Sequence, residues 1–145
     1  RAPVIAAIQG RCWGGGLQIA LGADFRIVAP DASLSIMESK WGLIPDMGGT
    51  LALRELLGRD QAMKLAMTAE EISGKRALEL GLATVMDDDP LAAATALAIE
   101  LSQRPVNAVA GIKRLYRKSW NGSTGVALAR ETVYQARILS RLRRP

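Results

Sequence analysis

The sequence predicts an α/β fold with a helical appendage, and three observations carry that reading. Apolar runs of strand length alternate with helical stretches up to about residue 88. Three consecutive glycines, Gly14, Gly15 and Gly16, stand between the first such run and an uncharged, apolar segment. Beyond residue 88 the pattern is helical throughout. The implied organisation is a strand-and-helix core over 1–88 and a helical region over 89–145.

Taken in order, residues 3–9 are a short apolar run stopped by Gly10, the pattern of a buried strand. The glycines then lead into a helix over 17–21. Because 12–23 carries no charge, that helix is expected to be buried on all sides. Residues 25–29 form a second strand ended by Pro30-Asp31, and 34–36 a third, shorter one. The stretch 41–49, with Pro45-Asp46 and Gly48-Gly49, reads as a loop. Thr50 is placed to cap a helix that runs to Leu57 and stops at Gly58. Helices over 61–68 and 73–80 follow, the second ended by Gly81, and 82–86 is a strand or extended exit. Three aspartates and Pro90 open an alanine-rich helix to about Gln103, and Pro105 opens the next. Asn121-Gly122-Ser123 breaks before the last helix. There Val126, Ala129, Val133 and Ala136 make an apolar stripe, while Arg130, Arg137, Arg141 and Arg144 lie along a different one.

With 145 residues, 49% hydrophobic and 23% charged, the chain has the material for one globular core. A single cysteine cannot form an internal disulfide. With no histidine there is no Cys/His metal cluster and no His-dependent nucleophilic triad, so no metal site is expected. No apolar run reaches the roughly 18 residues of a membrane span, and no signal-peptide pattern is read at the start; a soluble, cytoplasmic protein is expected. Arg1-Ala2-Pro3 runs straight into an apolar strand, which reads as a chain cut within a domain. The charge is uneven: residues 1–60 hold six basic and six acidic side chains, whereas 101–145 hold ten basic and only Glu131 acidic. Lys113, Arg114, Arg117 and Lys118, with Tyr116 and Trp120 interleaved, are either a solvated face or a surface for nucleic acid or another polyanion.

Two features carry chemistry. Glycine admits a ligand close to the backbone, and the first turn of a helix leaves amide N–H groups unpaired at the positive end of its dipole. The glycine cluster is therefore either an anion or oxyanion site or simply a tight turn in a crowded core. It is neither a GxGxxG nor a phosphate-binding P-loop pattern. Secondly, Glu38 follows an apolar strand and Asp46 follows in a loop rich in glycine and proline, which is how carboxylates are delivered to a pocket.

The segments 3–10, Gly14-Gly15-Gly16-Leu17, Ala23-Asp24, Glu38, Gly42-Leu43-Ile44-Pro45, Gly48-Gly49-Thr50 and 72–82 resemble, in order and spacing, the crotonase (enoyl-CoA hydratase/isomerase) superfamily. The resemblance implies a fold of repeated ββα units, here its C-terminal portion, with a helical region that assembles homotrimers, often paired into hexamers. It implies stabilisation of a coenzyme A thioester enolate by two backbone N–H groups. Gly15 matches the residue giving one of them. The other, with most of the groups that grip CoA, matches chain that would precede Arg1. CoA enters as part of an acyl-CoA substrate, and no separate cofactor is implied. Family hydratases use two glutamates, which fall at positions 18 and 38 of this sequence, and only Glu38 is present. Gln18 can hold a water but cannot take a proton at neutral pH. Moving a double bond needs one carboxylate, and Asp46 matches a catalytic aspartate of the dienoyl-CoA isomerase branch. The expectation is an enoyl- or dienoyl-CoA isomerase with Glu38, Asp46 and Gly15 catalytic and Gly14, Gln18, Trp41 and Pro45 against the substrate. Hydration through an atypical site, and a non-catalytic or nucleic-acid-binding scaffold, are the alternatives. Asp46 shaping only its turn, and Gln18 as a buried structural amide, are the plainer readings of those two residues.

Overall fold

Short apolar runs separated by turns fold here into strand pairs whose two members enter different sheets. The computed structural model describes residues 2–142, with side chains for 2–140. Gly10, at φ 63°, turns the chain between β1 (Ile5–Ile8) and β2 (Arg11–Trp13), and α1 (Gly15–Leu21) closes the first unit. The pattern then repeats. β3 (Phe25–Val28) pairs parallel with β1, Ile5 opposite Phe25, and β4 (Ser33–Ser35) pairs parallel with β2, Trp13 opposite Ser35. A 3₁₀ helix (Glu38–Trp41), α2 (Gly49–Leu56) and α3 (Arg59–Thr68) follow. β5 (Ile72–Ser73) joins β4 antiparallel, α4 (Gly74–Leu80) crosses over, and β6 (Val85–Met86) joins β3 in parallel. The sheets thus have the orders β1-β3-β6 and β2-β4-β5. This is the α/β pattern that the sequence predicts, in the repeated strand-strand-helix units that the resemblance implies.

Three helices complete the described chain: α5 (Pro90–Ser102), α6 (Val106–Ser119) and α7 (Thr124–Leu142). The chain divides into two compact units, Val4–Leu97 and a second one that joins the residues before Val4 to the helices from Ala98 onward. No helix among the described residues is long and apolar enough to cross a membrane.

The core of the first unit gathers Leu17 and Leu21 of α1 with Leu34, Ile36, Leu53, Leu65, Ile72 and Leu82. Full burial of each such side chain contributes about 1.5–3 kcal/mol. Two polar features tie the layers together. The Arg26 side chain, buried on β3, donates from Nε to the Leu82 carbonyl at 2.6 Å and from Nη1 to the Ala23 carbonyl at 2.7 Å. Burial pushes its pKa down, and the charge of Asp24 opposes that shift. Ser73 caps α4 by accepting the Arg76 N–H at 3.1 Å, next to Gly74, whose N–H reaches the Ala32 carbonyl at 2.9 Å.

Four expectations change. β2 is a strand that the sequence does not announce, because it is three residues long, begins with Arg11 and draws its hydrogen bonds from distant β4. α1 is not buried on all sides, since Ile19 is 64% exposed: lack of charge does not by itself mean burial. Thr50 does not cap α2. The cap position falls two residues earlier, at Gly48 with φ 86°, so the helix starts at Gly49 and no side chain caps it. On α7 the stripe Val126, Ala129, Val133 and Ala136 is exposed, and Ala127, Arg130, Tyr134 and Ile138 are the half-buried set. Gly111 of α6 admits Ile138, whose Cδ1 lies 3.2 Å from where a Cβ would stand. Arg144 and the side chain of Arg141 lie outside the described residues.

Candidate active site

The β2–β4 register decides which residues meet. With Trp13 opposite Ser35, and the Gly14 N–H donating to the Ser35 carbonyl at 2.9 Å, the segments that leave the two strands face each other. One enters α1 and the other enters the 3₁₀ helix. Gly14 adopts φ 54°, ψ −127°, a conformation rarely open to a residue with a side chain. A Cβ there would stand 3.5 Å from Glu38 Oε1.

Across this turn the Gln18 amide donates from Nε2 to Glu38 Oε1 at 2.5 Å. The other end of the same amide is engaged twice, because Oε1 accepts the Met47 N–H at 2.9 Å and the Gly49 N–H at 3.2 Å. Gly49 packs so closely that a Cβ on it would lie 2.9 Å from Gln18 Cγ. Gln18 is 2% exposed and Glu38 is 9% exposed. Glu38 Oε2 is buried and has no hydrogen-bond partner among the described residues. An unsatisfied buried carboxylate oxygen is costly and rare, so it points to a ligand or a proton-transfer task. The first turn of α1 opens with Gly15, and no hydrogen-bond acceptor meets its N–H among the described residues. The Met47 thioether lies against Gly15, its Sδ 2.7 Å from where a Cβ would be.

Of the residues singled out in the sequence, the structure brings Gly14, Gln18 and Glu38 into one cluster and sets Gly15 at its edge. Pro45 is half-buried, whereas Asp46 is exposed and no hydrogen bond or ion pair joins it to Glu38 among the described residues. Trp41 ends the 3₁₀ helix that Glu38 begins, but it is 75% exposed. Sequence reasoning missed Met47 and Gly49 as partners of Gln18. Their contribution is a backbone N–H that any residue carries, so only the crowding implied by Gly48-Gly49 hinted at it.

Elsewhere the chemistry is quieter. Cys12 is half-buried, and burial pushes its thiol pKa up, which disfavours the reactive thiolate at neutral pH. In the basic helix α6, Tyr116 stacks on Trp120 with ring centroids 5.7 Å apart, and Lys113 Nζ donates to the Ala2 carbonyl at 2.7 Å. The Arg130 guanidinium donates to the Lys118 carbonyl.

Residues 1–140 match the family model described as enoyl-CoA hydratase/isomerase. A carnitinyl-CoA dehydratase of Salmonella typhi is 38% identical over 117 residues, which cover 79% of this chain and 45% of that protein. Among solved structures, a protein from Thermobifida fusca YX assigned as an enoyl-CoA hydratase, in complex with CoA, superposes with a TM-score of 0.91 at 34% identity. The superposition covers 95% of this chain and 55% of the other. An enoyl-CoA hydratase from Polaromonas sp. JS666 gives a TM-score of 0.89 at 36% identity, over 94% of this chain and 54% of its own. The chain therefore spans about half the length of the relatives it matches.

Proposed function

Since the chain belongs to the enoyl-CoA hydratase/isomerase family, we propose that it acts on an acyl-CoA thioester through an enolate, with Glu38 as the proton carrier. The observation that carries this reading is the buried, unpartnered Oε2 of Glu38, a carboxylate whose other oxygen lies 3.5 Å from where a Gly14 Cβ would stand. A base must present one free lone pair to the proton it removes, and a carboxylate tied through only one oxygen does so. In the proposed step Oε2 takes the proton from the carbon next to the thioester carbonyl. The C–H electron pair moves toward the carbonyl, the oxygen gains charge, and the Gly15 N–H is one donor that receives it. The resulting carboxylic acid then returns the proton at the far carbon of the dienolate, which moves the double bond and regenerates Glu38. CoA is carried in as part of the substrate, and Gly14, Trp41 and Pro45 are the proposed contacts, whereas Gln18 is buried against Glu38 and the 47–49 loop.

Isomerisation is preferred because Gln18 occupies the position where a hydratase of this family carries a second carboxylate, and an amide does not accept a proton at neutral pH. Asp46 is the proposed second carboxylate for a dienoyl substrate. A second reading, reversible hydration or dehydration, is favoured by the names of the relatives, a carnitinyl-CoA dehydratase and enoyl-CoA hydratases. Both reactions pass through a thioester enolate: isomerisation reprotonates a dienolate at its far carbon, whereas dehydration releases a β-hydroxyl as water from a β-hydroxy enolate and hydration reaches that enolate by adding water. Assembly as a homotrimer or hexamer through the helical region belongs to the same proposal.

The test is turnover of 3-enoyl-CoA, dienoyl-CoA and 3-hydroxyacyl-CoA by the protein carrying this chain, with products resolved chromatographically. Glu38→Gln should lower kcat by about 10²- to 10⁴-fold on whichever substrate reacts. Asp46→Asn should slow the dienoyl substrate alone. Undiminished turnover by Glu38→Gln removes the assignment, and reaction of only the 3-hydroxyacyl substrate selects the second reading.

A further inference from the structure

We infer that Gln18 is a positioning residue: a clamp that fixes the loop carrying Met47 and Gly49 with its carbonyl end, and aims Glu38 with its amide end. The inference deepens the proposed function and rests on it for the meaning of Glu38, but the clamp itself stands on three hydrogen bonds. An amide side chain offers an acceptor at one end and donors at the other. Two backbone N–H groups, of Met47 and Gly49, converge on one end of Gln18, which identifies that end as the oxygen. The NH₂ end is then the only part left to face Glu38, and it can only donate. It takes one carboxylate oxygen, Oε1, at 2.5 Å, so the proton-transfer role falls to Oε2 alone.

The clamp also explains why a glutamine can stand where a carboxylate would bring a second proton acceptor. A carboxylate would accept the two loop N–H groups equally well. It would meet Glu38 with a like charge, however, and the pair would then share a proton rather than present one oriented base. Gln18 keeps the loop anchor and converts the contact to Glu38 into a donated hydrogen bond. Through Met47 it reaches the oxyanion side as well, since the same residue whose N–H it holds lays its thioether against Gly15. One buried side chain therefore sets the relative placement of the base, the loop and the glycine turn.

Two variants separate the ends of the clamp. Gln18→Met removes both, and Gln18→Glu keeps the acceptor while replacing the fixed amide donor with a proton shared with Glu38. Backbone amide exchange, read by NMR on the unliganded protein, should accelerate about tenfold at Met47 and Gly49 in Gln18→Met and stay near wild type in Gln18→Glu. Unchanged exchange in Gln18→Met overturns the clamp, whatever the activity. Kinetics then test the aiming of Glu38: Gln18→Met should lower kcat about 10²-fold with KM nearly unchanged, as expected when a reacting group is misplaced by about 1 Å. A raised KM with kcat intact would instead make Gln18 a substrate contact and overturn the positioning role. Wild-type protein without turnover on any acyl-CoA would remove the proposed function, and the exchange result would still decide the clamp.

Discussion

At the scale of single residues, the site depends on backbone conformations that only certain side chains permit. Gly14 is the sharpest case, since its φ of 54° with ψ −127° is strained for any residue with a Cβ. Gly14→Ala should cost about 1–3 kcal/mol of stability, seen as a lower melting temperature in a calorimetric scan. An unchanged melting temperature would show that the turn relaxes without cost. Glu38 was legible in the sequence because a carboxylate directly after an apolar strand, in register with a glycine cluster twenty-odd residues earlier, is an unusual conjunction. The task of Gln18 was only half legible. That it replaces a carboxylate follows from the resemblance, but that it holds Met47 and Gly49 depends on backbone groups that leave no mark on residue type.

At the scale of elements, the strands and helices with strong local signals fall close to where they are expected, and two of the departures share one cause. Residues 25–29, 61–68 and 73–80 carry their own apolar periodicity and stop signals, and β3, α3 and α4 lie within a residue or two of them. β2 and the packed face of α7 are decided by partners instead. β2 takes its hydrogen bonds from β4, and α7 has two faces with helical spacing, of which Gly111 selects one. The start of α4 is the most tightly determined junction of all. A Cβ on Gly74 would come within 1.9 Å of the Ala29 carbonyl oxygen and 2.9 Å of Val28 Cγ2, so the helix entrance sits directly on the end of β3. Backbone cannot swing aside as a side-chain tip can. Gly74→Ala should therefore destabilise by about 1–3 kcal/mol or more, measured as a shift of the urea midpoint without a change in slope.

At the scale of the whole molecule, the unit Val4–Leu97 is held together by pairings of very unequal reach. β1 meets β3 across twenty residues, Ile5 to Phe25, whereas Arg26 and Thr84, at the junction of β3 with β6, are 58 residues apart. Closing the longer loop costs about 1 kcal/mol more in chain entropy, and only a two-residue strand rewards it directly. The buried Arg26 side chain has its bond to the Leu82 carbonyl only once that closure has happened. Time order follows from this. The β1–β3 pair and α1 are expected to assemble early, and β6 with the carbonyl partner of Arg26 is expected to arrive after the rate-limiting barrier. Arg26→Met should consequently speed unfolding in a denaturant jump and leave the refolding rate near wild type; slower refolding with unchanged unfolding would place the docking of β6 before the barrier. On that order, the guanidinium that locks β3 is expected to set how long the native state lasts rather than how quickly it is reached.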